Sequence, residues 1–184
     1  MAFTALQNAA IKRFAKQGFS GTSLSEIAAD VGIKPPSIYA HFKGKDELFL
    51  SLVEPTIEEE LSYVKKTFDS GVYQEEQLEA FLRSIEKRFE KSFILPFLLH
   101  CFYLRPQQLA RQVDRPIQGY MADLDKIMIS FFKRLNPGRM EPEILAEAYM
   151  GIVDSLQAEI LYGGKKRFRK RLEGLWTVFH MALN

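Results

Sequence analysis

The chain has 184 residues, 47% of them hydrophobic and 26% charged, with 25 Lys plus Arg against 23 Asp plus Glu for a net charge of +2. At about 150 residues per domain this length holds one domain or a small module joined to a larger one, and a content that includes 15 Phe excludes disorder. Near-neutrality argues against a protein that coats nucleic acid by bulk electrostatics. A lone cysteine, Cys101, excludes an internal disulfide framework, and His41, His100 and His180 stand beside no carboxylate cluster of zinc-like spacing, so neither a metal nor a cofactor is expected. The best apolar run, Ser92 to Leu104, contains Pro96 and His100 and falls short of the about 18 residues of a membrane span. Lys12 and Arg13 sit where a secretory leader would be apolar. The expectation is a cytoplasmic protein with no membrane partner.

Apolar residues recur at helical spacing almost throughout, and no segment alternates as a strand does, so the fold class predicted is all-α. Phe3, Leu6, Ala10 and Phe14 form the stripe of a first helix that should stop at Gly18. Ser23-Leu-Ser-Glu26 is a capping box that opens a short second helix, with Leu24, Ile27, Ala28 and Val31 apolar and Gly32 at its end. Pro35-Pro36 suits the first turn of a third short helix through Ile38 and Phe42. Lys45 to about Phe68 reads as a long fourth helix with a kink or break at Pro55. Further helices are predicted at about Glu75 to Phe93, Pro96 to Tyr103, Ile117 to Leu135, Glu143 to Tyr162 and Arg167 to Leu183, the last three separated by Asn136-Pro137-Gly138 and Gly163-Gly164.

Two short helices joined by a tight glycine turn and preceded by an amphipathic helix are the outline of a helix-turn-helix. The second of the pair carries Lys34, Ser37, Tyr39, His41, Lys43 and Lys45, all able to donate to phosphates or base edges, and no acid. The stretch from Gly18 to Ile33, followed by Ser37-Ile-Tyr-Ala-His-Phe-Lys-Gly-Lys-Asp-Glu-Leu-Phe49, resembles the N-terminal signature of the TetR family of bacterial transcriptional regulators. The family pattern of Tyr, a variable residue, His, Phe, two variable residues and Lys is met by Tyr39, His41, Phe42 and Lys45. The resemblance covers roughly residues 5 to 53; the rest matches only in helix count. It implies that Ser23 and Tyr39 bind phosphates, that His41 and Lys45 hold the DNA backbone at the end of the reading helix, and that Lys34 and Ser37 face bases or sugars. Pro35 and Pro36 depart from it, since family members often carry a small residue near Pro36. They exchange a backbone N–H contact for a rigid helix start and apolar contact with a thymine methyl.

Residues 75 to 135 are rich in aromatic and flexible side chains, among them Phe81, Phe89, Phe93, Phe97, Phe102, Tyr120, Met121, Met128 and Phe131. Such residues line apolar cavities and also fill ordinary cores; the resemblance, to a family whose C-terminal part encloses an effector pocket, favours the cavity. Glu86 with Glu90 and Asp123 with Asp125 could recognise a cationic ligand if turned inward. His100-Cys101 reads as buried structure. Ala148, Gly151, Ser155 and Ala158 make a narrow stripe of small residues beside Ile152, and the last helix presents Leu172, Leu175 and Phe179 on one face. The resemblance implies that these two helices pair with those of a second copy as a four-helix bundle, giving a two-fold homodimer. The basic run Lys165 to Arg171 opposes the dipole at a helix start, which calls for an acidic partner surface or simple solvation.

The domain division expected is residues 1–46 as a DNA-binding head and 47–184 as an effector-binding and dimerisation body. The function expected is a non-enzymatic repressor that binds double-stranded operator DNA as a homodimer and is released by a small apolar or amphipathic effector. Two alternatives stand beside it: a helical small-molecule-binding or enzymatic protein whose helix-turn-helix is scaffold, and an architectural DNA-binding factor without an effector. Net charge divides as +2 for residues 1–50 and −4 for 51–100, so overall near-neutrality conceals a local asymmetry that suits a localised DNA contact.

Overall fold

The computed structural model describes residues 4–69, 71–135, 138 and 140–183. Phe3 of the first stripe and Asn136 and Pro137 of the turn signal lie outside the described residues. Among these residues the protein is helical with no strand: α1 (Ala5–Gln17), α2 (Leu24–Asp30), α3 (Pro35–Tyr39), α4 (Lys45–Phe68), α5 (Glu75–Lys91), α6 (Ile94–Tyr103), α7 (Ala110–Leu135), α8 (Pro142–Tyr162) and α9 (Gly164–Leu183), with a 3-10 turn at Gln107–Leu109. The chain divides into two compact units, Met1–Glu60 with Ser92–Tyr120, and Leu61–Lys91 with Met121–Asn184. The boundary expected between residues 46 and 47 falls inside α4, within the first of these units.

In the first unit α1 packs on α2 and α6, and α2 on α3. Phe14 meets Phe49 edge-on at 5.1 Å between ring centroids, and Phe97 of α6 joins Phe49 at 5.3 Å; edge-to-face pairs add to plain burial. The reason α1 starts where it does is a second capping box. Thr4 accepts from the Gln7 N–H at 3.2 Å while the Gln7 side chain accepts from the Thr4 N–H at 3.0 Å. Of the kink or break expected at Pro55 the break is absent, since helix α4 runs on through it. Leu52, Val53, Thr56 and Ile57 around it are buried, and the Thr56 hydroxyl donates to the Leu52 carbonyl at 2.5 Å, so packing offsets the one missing backbone bond. Helix α7 starts seven residues before the expected Ile117, because Leu109, Val113 and Tyr120 bury one face at helical spacing and Arg105 pairs with Asp114 at 2.7 Å.

In the second unit α8 and α9 form a helical hairpin, and α5 packs on both. Its centre is aromatic: Phe68 lies 5.0 Å from Phe81 and 5.2 Å from Phe131, and the fully buried Tyr149 donates its hydroxyl proton to the Leu78 carbonyl at 2.8 Å. Helix α9 begins at Gly164, three residues before the expected Arg167. Among the described residues no helix is long and apolar enough to cross a membrane.

Candidate nucleic-acid interface

The α2–turn–α3 segment is built by local chemistry. Ser23 accepts from the Glu26 N–H at 3.2 Å and the Glu26 carboxylate accepts from the Ser23 N–H at 2.9 Å, which is the capping box the sequence predicts. The Ser23 hydroxyl also donates to that carboxylate at 2.8 Å, so an incoming phosphate would have to take over this donor. Gly32 holds φ of +70°, and Ile33 N–H returns to the Ala28 carbonyl at 3.0 Å, closing the turn. Pro35 and Pro36 occupy the first two positions of α3, where their missing N–H groups have no intrahelical partner.

Ile38 is fully buried and anchors α3, while Phe42 is half-buried just beyond it. On the other side Lys34, Pro36, Ser37, Tyr39 and His41 are exposed, Tyr39 at 58%, and Pro35 is half-buried. Among the described residues no side-chain partner engages Lys34, Ser37, Tyr39 or His41. A helix of about 10–12 Å overall diameter fits a major groove about 12 Å wide, and these side chains supply donors for phosphates and base edges. Lys45 differs: it is half-buried, and its Nζ donates to the Phe19 carbonyl at 2.8 Å and the Thr22 carbonyl at 2.9 Å while sitting 4.3 Å from the Phe19 ring centroid.

Two features of this head escaped the sequence reading. Arg13 of α1 grips Asp30 with two bonds of 2.7 Å and reaches Glu26 at 3.3 Å, which sets one positive charge between the two acids of α2. The Arg13 side chain holds Asp30 below its usual carboxylate range, and Ser23, with a smaller contribution from Arg13, does the same for Glu26. The signal was present as acids four apart on α2, but their partner lies 17 and 13 residues upstream. Gly21 is the second: a Cβ there would meet the Gln17 carbonyl oxygen at 2.4 Å, so the α1–α2 turn admits only glycine without rearrangement.

The aromatic residues read as an effector pocket fall into both units. Phe93, Phe97, Phe102 and Tyr120 lie in the first, and Phe81, Phe89, Met121, Met128 and Phe131 in the second. Phe97, Tyr120, Phe81, Met128 and Phe131 are buried; Phe89 and Phe102 are half-buried, and Phe93 and Met121 more open. Phe93 lines a groove of about 600 Å³ with Ala5, Asn8, Ala9 and Lys12 of α1. Of the carboxylates that might have faced a cation, Glu86 is engaged with Arg169 at 2.6 Å, Glu90 with Lys165, and Asp123 with Lys126 at 3.1 Å, and Asp125 is exposed. Cys101 is buried and its thiol is pushed up by desolvation; His100 is half-buried, and burial pulls its imidazolium below the usual range.

On α8 and α9 the small stripe faces outward, Ala148 and Gly151 exposed, Ser155 and Ala158 half-buried. Ile152, Leu172 and Phe179 are instead buried within their own unit, and Leu175 is half-buried. The exposed large apolar residues of the two helices are Ile144 and Tyr162 of α8 and Val178 and Met181 of α9. Four residues of the basic run pair within the chain: besides Lys165 with Glu90 and Arg169 with Glu86, Glu159 receives Arg167 and Arg171, each at 2.7 Å, while Lys166 and Lys170 are exposed.

A short, exposed, acid-free helix seated on a buried isoleucine and braced by two preceding helices defines a helix-turn-helix DNA-binding protein with a helical body attached. Residues 6–52 match the family described as bacterial regulatory proteins, tetR family. Over 182 residues, 92% of this chain and 94% of the relative, the chain is 22% identical to the biofilm operon icaADBC HTH-type negative transcriptional regulator IcaR of Staphylococcus epidermidis. The fold is that of the transcriptional regulator FadR from Bacillus subtilis, solved in complex with stearoyl-CoA (TM-score 0.69, 15% identity, 98% of this chain and 97% of that one). It is also that of AibR, solved in complex with isovaleryl coenzyme A and operator DNA (TM-score 0.66, 19% identity, 95% and 96%). Residues 6–52 are thus similar to the DNA-binding part of the tetR regulatory proteins, and over nearly its whole length the chain is similar to a transcriptional regulator.

Proposed function

We propose that this regulator is a cytoplasmic repressor that binds operator DNA as a homodimer and lets go when a small apolar or amphipathic effector binds the body. Residues 1–46 serve as the reading head and 47–184 as the effector-binding and dimerisation part. The observation that carries the DNA reading is the exposed, acid-free face of Lys34, Pro36, Ser37, Tyr39 and His41, whose donors no other described side chain engages. Phosphate contacts from Tyr39, His41 and Ser23 set the register, and Lys34, Ser37 and the two prolines meet bases or sugars. Repression has the support of the negative regulator to which the chain is similar over nearly its whole length. An effector has the support of the two fold relatives solved with acyl-CoA ligands and of the aromatic residues between 81 and 131. The dimer has the support of the outward stripe of small and apolar residues on α8 and α9.

The test is selection of a binding sequence from random duplexes, followed by titration at several salt concentrations. Log affinity should fall with log salt by about 0.9 per phosphate neutralised. Tyr39→Ala should weaken selected and random DNA alike. Selection that returns no sequence, or a Tyr39→Ala variant that binds as tightly as the parent, would defeat the assignment of α3. Stearoyl-CoA and isovaleryl-CoA are the first effector probes. A ligand that raises the melting temperature and releases the operator supports the repressor scheme, because only unequal affinity for the two conformations can shift them.

A further inference from the structure

We propose that Lys45 acts in DNA binding as a positioning residue, clasping the α1–α2 turn to the first residue of α4, and not as a contact to the DNA backbone. This rests on the DNA reading above and changes the role that family resemblance implies for this lysine. An ammonium has three N–H donors and no acceptor. Two donors are committed to the Phe19 and Thr22 carbonyls at 2.8 and 2.9 Å, and the charge lies 4.3 Å from the Phe19 ring centroid. Bonds from a cation to a carbonyl exceed neutral ones in strength, and the ring adds a cation–π attraction.

The contrast with the rest of the head is sharp. Lys34, Ser37, Tyr39 and His41 are exposed, with no side-chain partner among the described residues, whereas Lys45 is half-buried with three interactions. A phosphate would have to strip the ammonium from two carbonyls and the ring. What the clasp holds is also specific. Thr22 is buried, donates its hydroxyl to the Gly18 carbonyl at 2.8 Å, and precedes Ser23, the cap of α2. Gly21 in the same turn has no room for a side chain. Lys45 therefore fixes the start of α2, and with it the seat of α3, against the start of α4.

The two roles predict different salt behaviour. Lys45→Met keeps the hydrocarbon over Phe19 and removes donors and charge. It should lower operator affinity about tenfold, the scale of a lost charge-assisted bond, with the salt slope of the parent. A lysine that neutralises one phosphate would instead lower the slope by about 0.9 when removed. A Lys45→Met slope lowered by that amount, or an unchanged affinity, would overturn the positioning role. A wild-type arm covers the case of a misfolded variant: the Lys45 ε-methylene proton resonances should be shifted upfield by the Phe19 ring and stay so when operator is added. Loss of that shift on DNA binding would equally overturn it. Failure of the wild-type chain to select any DNA defeats the DNA reading itself, which is a different outcome from a lowered slope in a chain that binds.

Discussion

Arg13 shows how one side chain decides the character of a surface. Its guanidinium matches the Asp30 carboxylate bond for bond and leaves a third bond for Glu26, so the pair of negative charges on α2 is halved. Both carboxyls are held below their ordinary range in the folded chain. A carboxyl with a depressed folded pKa adds stability above its unfolded pKa and loses it as pH falls through the folded value. The head should therefore melt at lower temperature as pH drops below about 4, near the ordinary carboxyl values. Arg13→Ala should flatten that acid branch; a variant whose melting temperature falls with acid as steeply as the parent's would remove Arg13 as the cause. At Cys101 the expectation is simpler: its buried thiol is pushed well up, so the native protein should resist alkylation at pH 8 and react only after denaturant is added. Rapid labelling of the native chain, followed by mass spectrometry, would contradict this burial. The capping box of Ser23 and Glu26 was legible because both partners lie within one helical turn. Arg13 was not, because its partners are set by the packing of α1 on α2.

At the scale of the element, α9 has a start that its own dipole disfavours. Lys165, Arg167, Arg169 and Arg171 stand in its first two turns, and each finds a carboxylate on α5 or α8. Glu159 is the keystone, since it is nearly buried and receives two arginines. Glu159→Gln should cost about 1–2 kcal/mol, less than a fully buried pair because both guanidinium groups reach solvent. That should appear as a fall of roughly 2–8 °C in melting temperature. Arg169→Ala, which removes a pair on the more exposed side, should change stability by no more than about 1 kcal/mol. Equal losses from the two variants would show that burial of Glu159 is not what sets the difference. The sequence left this run between an acidic partner surface and simple solvation, because spacing alone does not say which carboxylates packing brings near. It also placed the start of α7 too late and allowed a break at Pro55 that α4 does not have, for one reason: proline reports local preference, and burial of Leu109, Val113, Leu52 and Ile57 overrides it.

For the whole molecule, periodicity made the all-helical class and the succession of helices legible, because amphipathic spacing is what each helix must satisfy to join a core. It could not sort aromatic residues that line a cavity from those that fill the interior, since Phe97 packed on Phe49 and Phe131 packed on Phe68 have the same spacing either way. The α8–α9 face is a middle case: among the residues expected at a dimer interface the small stripe is exposed or half-buried and Ile152, Leu172 and Phe179 are buried, while Ile144, Tyr162, Val178 and Met181 are exposed. Four large apolar side chains around a strip where backbones can approach closely are what an interface core requires, and a stable dimer buries about 1,200–2,000 Å² in total. Val178→Asp with Met181→Asp places two charges on that face without touching the buried core. Light scattering should then report the mass of one chain where the parent reports two, with helical circular dichroism unchanged. Since one head contacts only a half-site, the monomer should bind a two-half-site operator at least about 100-fold more weakly, while still meeting a single half-site. A double variant that remains dimeric moves the interface elsewhere. One that is monomeric yet binds the full operator as tightly as the parent breaks the link between dimerisation and recognition.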